Sequence, residues 1–251
     1  MSRAPASLHR GPEGLATLVL AAEPLSPECC AAALPLCEAL AEDESLRALV
    51  IRAGSPRGAP APWPLPSRAT SLEALRPLRA LVGAVAALPM PVLAVLEGAV
   101  VAEALELALA CDLRLASAAA TFAMPQLAEG RLPCCGGSQR LPRLVGLSAA
   151  YELFLGAEWS AARAEALGLV TAVVPGTALA AEATRWAARL AAKSPFAARF
   201  LKEAVRRGLE VPLDQALLIE EDLYLLLQTT GDRKEGIRAF LAKRTPRFKG
   251  T

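Results

Sequence analysis

Histidine is nearly missing from this chain: His9 is the single example among 251 residues. That excludes nucleophile relays of the Ser-His-Asp or Cys-His kind, and most zinc sites with them, because each needs an imidazole held inside the fold. His9 itself falls in a terminal stretch that reads as frayed. Aromatic residues are scarce at 4%, and the net charge is only +2. Base stacking and phosphate attraction both lack their means, so no nucleic-acid partner is expected. Long apolar runs are lacking too, despite a hydrophobic content of 54% and a mean hydropathy of +0.36. Glu97, Glu103 and Glu106 cut the most apolar region into pieces shorter than the roughly 18 to 20 residues that span a bilayer. No membrane partner is expected. The opening MSRAPASLHRGPEG has no apolar segment behind its basic residues and does not read as a secretory signal, which leaves a cytoplasmic protein as the default. CxxC, GxGxxG and GxxxxGK spacings are also absent.

Six cysteines are present, Cys29, Cys30, Cys37, Cys111, Cys134 and Cys135, in an order that includes two adjacent pairs. They read as reduced, small core fillers rather than a disulfide framework or a metal site. Acid-base chemistry is left to carboxylates, lysine, tyrosine and cysteine.

The length suits one α/β domain with a terminal appendage. Apolar β-rich runs predict strands over 15–22, 46–53 and 91–96. Ser26, Pro27 and Glu28 supply an N-cap, a first-turn proline and a first-turn acid for a helix over 27–42, with a bend at Pro35. The segment GSPRGAPAPWPLPSRAT carries too many prolines for a sheet ladder and reads as an irregular loop. A helix follows over 71–88, kinked at Pro77. Beyond the Glu97-Gly98 turn the pattern predicts a short buried helix over 102–111, strands over 113–116 and 121–124, and a helix opened by Gly136-Gly137-Ser138. From about 148 the chain becomes almost wholly helical, at 148–155, 160–167, 177–192, 195–208, 212–229 and 232–242, with a last strand over 169–174. This order implies parallel βα units in a core over 1–175 and a helical region over 176–251.

Within the short helix, LELALAC surrounds Glu106 with apolar neighbours. Burial disfavours a charged carboxylate and raises its pKa, which suits a general acid or base. A structural glutamate, bonded to backbone amides or to Arg114 or Arg131, fits the same residues.

Residues 91–141, from PVLAVLEG to GGSQRL, and the ending GDRKEGIRAFLAKRTPRFKG together resemble the crotonase superfamily, the enoyl-CoA hydratases and isomerases. The resemblance implies a spiral of ββα units with C-terminal helices that build a homotrimer or homohexamer. It implies an acyl-CoA or acyl-carrier thioester as substrate, with coenzyme A as part of that substrate and no separate cofactor or metal. Glu106 matches the first of two catalytic glutamates, while the second position holds Gln126, an amide that cannot carry a proton near neutral pH. Glu129, three residues on, is read either as a nearby carboxylate that compensates in its place or as an exposed loop residue.

The family's oxyanion hole takes two backbone N–H groups. One matches Glu103, in Ala102-Glu103-Ala104 where relatives carry glycines. The other falls on Pro62, which has no N–H, or on Ala61 if the alignment slips by one residue. An asparagine usual in the family is replaced in the Glu23-Pro24-Leu25-Ser26 neighbourhood. Lys243 and Phe240 match positions that approach the nucleotide end of coenzyme A, and Arg57 and Arg68 flank the proline-rich loop where they would meet phosphates. One carboxylate suits a double-bond shift, an elimination or a decarboxylation better than hydration by two. The alternative is a non-catalytic homologue that keeps the scaffold for assembly or for a partner enzyme.

Overall fold

The structure, a computed structural model, describes residues 4–21, 25–54, 60–63 and 71–251. Arg57, Arg68 and the Glu23-Pro24 pair lie outside the described residues. A six-stranded sheet organises the chain. Strand β1 (Ala6–Arg10) runs antiparallel to β2 (Leu15–Leu20), and β3 (Ala48–Ala53), β4 (Val92–Leu96), β6 (Leu113–Ser117) and β9 (Ala172–Val174) continue in parallel, in the order β1-β2-β3-β4-β6-β9. Every residue of β3 and β4 is buried, as central parallel strands covered on both faces must be. The frayed terminus expected around His9 is instead the edge strand, with His9 opposite Thr17. It was missed because ASLHR alone has too little apolar alternation to announce a strand.

A second, smaller sheet holds β5 (Ala99–Val101), β7 (Thr121–Ala123) and β8 (Glu158–Ser160). Only Glu97-Gly98 separates β4 from β5, so the chain steps from one sheet to the other and turns straight into helix α3 (Glu103–Ala110). That step is the ββα unit of the expected spiral, and it aims the start of α3 between the sheets.

Helices α1 (Pro27–Ala41) and α2 (Leu72–Ala87) are capped as their sequences suggest, Ser26 Oγ accepting from Cys29 N and Ser71 Oγ from Ala74 N, each at 3.2 Å. Both run through their internal prolines without ending. With α3, α4 (Gly137–Val145), α5 (Leu147–Phe154) and α6 (Ala161–Ala166) they close the larger core. Helix α7 (Gly176–Ala191) covers the opposite face, where Leu179, Ala183 and Ala187 pack against Val50, Leu93, Val95 and Leu115. Helices α8 (Pro195–Gly208), α9 (Leu213–Gln228) and α10 (Gly231–Leu241) follow, and their outer faces leave Leu201, Leu209, Leu213, Leu217, Leu225 and Phe240 exposed. Among the described residues no helix is long and apolar enough to cross a membrane.

The C-terminal tail is tied back by one buried carboxylate. Asp232, at the start of α10, accepts from Ser194 Oγ at 2.9 Å, from Lys249 N at 2.7 Å and from Gly250 N at 3.2 Å, while Thr251 O accepts from Gly231 N and Asp232 N. Removing that acceptor strands buried donors, which costs about 1–3 kcal/mol each where no water can enter. Asp232→Ala is expected to lower the unfolding free energy by about 1–3 kcal/mol, read as a lower denaturant midpoint, and to speed amide exchange at Lys249 and Gly250; unchanged exchange there would show that the tail is held by something else.

Candidate functional site

Helix α3 begins with strain. Ala102, its N-cap, adopts φ 52° and ψ −124°, a region that favours glycine, and is held there by Ala102 N donating to Ala123 O and Glu106 N donating to Ala102 O, both at 3.0 Å. All eight residues of the helix are buried, so Glu103 and Glu106 are carboxylates without contact to solvent.

Glu106 is clamped by the turn that opens α4. Its Oε1 accepts from Cys135 N and from Gly137 N, each at 2.7 Å. Gly137 is required for this approach, because a Cβ there would stand 3.0 Å from Glu106 Cγ, Glu106 Oε1 and Met124 Cε. Oε2 is buried with no hydrogen-bond partner. Burial pushes the Glu106 pKa up, the two backbone donors oppose it, and the neighbouring Glu103 adds to the rise. The structural reading of Glu106 was right for one oxygen, which amides hold; neither Arg114 nor Arg131 pairs with it. Arg114 instead caps the end of α3, donating to Cys111 O at 2.7 Å and to Leu169 O at 2.6 Å.

Arg131 belongs to Glu103. Its Nη1 meets Glu103 Oε1 at 2.6 Å, and its Nε and Nη2 meet Glu129 Oε2 at 2.9 and 2.6 Å. Both carboxylates, Glu103 first, hold the guanidinium firmly in its charged form. Glu103 thus points inward with its charge matched, although its Oε2 has no partner. Glu129 is exposed and taken up by Arg131, so the structure does not set it beside Glu106 as a second proton carrier. Gln126 is buried in a short 3-10 helix (Pro125–Glu129), and both atoms of its side-chain amide lack partners.

The proline-rich loop contributes no free donor among residues 60–63. Ala61 N donates to Ala53 O at 3.3 Å and Trp63 N to Glu97 O at 2.7 Å, and Pro62 between them has none. The alternative that Ala61 serves the oxyanion hole is therefore corrected: its N–H closes the Gly54–Pro60 bridge at the end of β3. On the helix side, the Glu103 N–H has no acceptor among the described residues, as befits the first turn of a helix. Phe240 and Lys243 sit at the surface at the end of α10, with Lys243 in the left-handed region at φ 50°. No hydrogen bond or ion pair among the described residues joins either to α3.

Sequence reasoning did not name Cys135 and Gly137 as the amides that hold Glu106, nor Arg131 as the arginine that pairs with Glu103. The Gly136-Gly137 pair was the available signal for the first. Nothing local signals the second, which spans 28 positions.

The profile of the family described as Enoyl-CoA hydratase/isomerase matches residues 24–251. The chain is 40% identical over 228 residues to the Bos taurus enoyl-CoA hydratase domain-containing protein 2, mitochondrial, covering 86% of this chain and 77% of that one. It is 37% identical over 223 residues to the human methylglutaconyl-CoA hydratase, mitochondrial, covering 85% of this chain and 66% of that one. The crystal structure of an enoyl-CoA hydratase from Bacillus anthracis superposes with a TM-score of 0.90 at 30% identity, covering 98% of this chain and all of that one. The carboxylate clamp, the ββα spiral and these likenesses agree, and the chain belongs to the enoyl-CoA hydratase/isomerase family.

Proposed function

We propose that this protein acts on an acyl-CoA, or an acyl group on a carrier protein, with Glu106 as its single acid-base carboxylate. The supporting observation is the division of labour between the two Glu106 oxygens. Oε1 is fixed by two amides, and Oε2 is buried, unpartnered and ready to exchange a proton. Gln126 at the second family position can orient a group by hydrogen bonding but cannot pass a proton. Chemistry that moves one proton fits better than hydration across two carboxylates, so the reading favours a double-bond shift, an elimination or a decarboxylation. The Glu103 N–H is the donor left for a thioester oxyanion, and Arg131 offsets the charge beside it. A missing second donor costs about 2.7–4 kcal/mol, or about 10² to 10³ in rate. Protein groups alone supply the step, and coenzyme A enters as part of the substrate. Lys243, Phe240, Arg57 and Arg68 remain the proposed contacts to it, and the cytoplasm the proposed compartment.

A second reading rests on the spent donors of Ala61 and Trp63: a non-catalytic homologue acting as a scaffold or partner subunit. Offering a short enoyl-CoA while measuring binding and turnover together separates the two. The enzyme reading expects turnover that falls by about 10² or more in Glu106→Gln with binding retained; binding with no turnover in either form supports the scaffold.

Because the folded-state pKa of Glu106 lies above its usual value, the folded protein holds that proton more tightly than the unfolded chain. The contribution to stability is full below the unfolded pKa and is lost as pH rises through the raised one. A rate profile should accordingly show an ionisation above the ordinary carboxylate range, and the corresponding stability step should vanish in Glu106→Gln.

The many exposed leucines of α8 to α10 support assembly into a homotrimer or homohexamer, since exposed apolar side chains in such number suit an interaction surface. Light scattering on the purified chain should return three or six times its 26.2 kDa mass; a monomer at working concentration would refute the assembly.

A further inference from the structure

Cys134 and Cys135 stand on the turn that clamps Glu106, and the proposed reaction uses neither thiol. Their sulfurs lie 3.7 Å apart, and both fall within 4.8 Å of a Glu106 carboxylate oxygen and of each other. Two thiolates bound at about 2.3 Å to a tetrahedral zinc are separated by about 3.75 Å, so the pair already has a chelating spacing. Touching thiols reach that spacing without a metal. The independent observation is Glu106 Oε2, fully buried on a side chain directed at this group and lacking any hydrogen-bond partner. A cation is the partner that would satisfy a buried, unpaired carboxylate oxygen and two soft sulfurs at once.

We infer that Cys134, Cys135 and Glu106 form a binding site for one thiophilic divalent cation of the Zn²⁺ and Cd²⁺ class. This departs from the expectation, read from the sequence, that these cysteines only fill the core. On binding, two S–H bonds break, two metal–sulfur bonds form and two protons leave to solvent, with no change of oxidation state. Two thiolates and one carboxylate carry three negative charges. The metal offsets two, and Arg140, whose Nη1 donates to Cys135 O at 2.8 Å, stands by to offset the third. Three protein ligands leave a fourth position for water on the side of Cys134, the one partly exposed member. The other adjacent pair lacks such a carboxylate, and Cys29 Sγ donates to Pro5 O. Among the described residues no other group of three such ligands is assembled. The consequence for activity, which alone rests on the role proposed for Glu106, is reversible inhibition, because a cation on the Glu106 carboxylate competes with the proton that the group would exchange.

The test uses the full chain, reduced with a phosphine, and titrates Cd²⁺ while recording the thiolate-to-cadmium ultraviolet band and proton release. One cadmium per chain, a band of two-thiolate intensity and two released protons are expected, with at least a tenfold loss of affinity in Cys134→Ser and a smaller loss in Glu106→Gln. No band in the wild-type protein, a wild-type band of one-thiolate intensity, or a band of unchanged intensity and affinity in Cys134→Ser overturns the site. Should that variant fail to fold, Cd²⁺ is expected to protect Cys134 of the folded wild-type chain from iodoacetamide, as mapped by mass spectrometry, and alkylation at an unchanged rate overturns the site equally. None of these readouts depends on turnover, so a failed metal site and a failed enzyme reading are told apart.

Discussion

The contact on which the rest of the site depends is the pair of 2.7 Å hydrogen bonds from Cys135 N and Gly137 N to one oxygen of Glu106. It joins α3 to the opening of α4, two elements that the chain order separates by both strands β6 and β7. A buried carboxylate is costly unless something accepts its charge. Two oriented amides at a helix N-terminus do so without bringing in a counter-charge, and they leave the second oxygen unengaged. A lysine or arginine in their place would have set a formal charge against the carboxylate, as Arg131 does at Glu103. The choice of backbone donors keeps the group inside the fold and still chemically available.

Glu103 shows the opposite solution three residues earlier on the same helix. Its charge is met by Arg131, which reaches outward to Glu129 as well. Two like charges at this spacing would repel each other if both were bare. Pairing one with a cation and the other with amides gives them different environments. The Arg131 bridge also links the start of α3 to the 3-10 helix that carries Gln126, through Arg131 N donating to Gln126 O at 2.9 Å. Glu103 and Gln126, the two positions where this chain departs from its family's pattern on that side, are therefore coupled through Arg131.

Most of the frame was legible because it rests on local chemistry. Ser26 and Ser71 announce α1 and α2 through their side-chain caps, and the buried runs of β3 and β4 announce the parallel sheet. Strands β5 and β8, each three residues long, were not, since so short a run has no period to detect and exists only through its partner in the smaller sheet. Pro35 and Pro77, read as a bend and a kink, sit inside helices that continue past them, each with one ladder bond lost. In the site, Glu106 was singled out by its apolar surroundings, and Glu103, Gln126 and Pro62 by the resemblance to the family. The partners that decide what they do, Arg131 and the amides of Cys135 and Gly137, come from sequence-distant segments that only the fold brings together.

Competition for backbone donors also explains why the described loop residues 60–63 leave no backbone N–H free. Between Pro60 and Trp63 the prolines remove two of the four backbone donors, leaving the N–H groups of Ala61 and Trp63. Each meets a carbonyl just where a strand runs out: Ala53 O at the end of β3, and Glu97 O after β4. A buried carbonyl left without a donor costs free energy comparable to a lost hydrogen bond, so the first demand on scarce donors is structural. Gly54, at φ 96°, makes this possible, since a Cβ there would stand 2.8 Å from Ala61 N. A loop richer in N–H groups could close both strands and still spare one for a ligand. Among residues 60–63 the proline content sets the limit, and both remaining N–H groups go to closing strands.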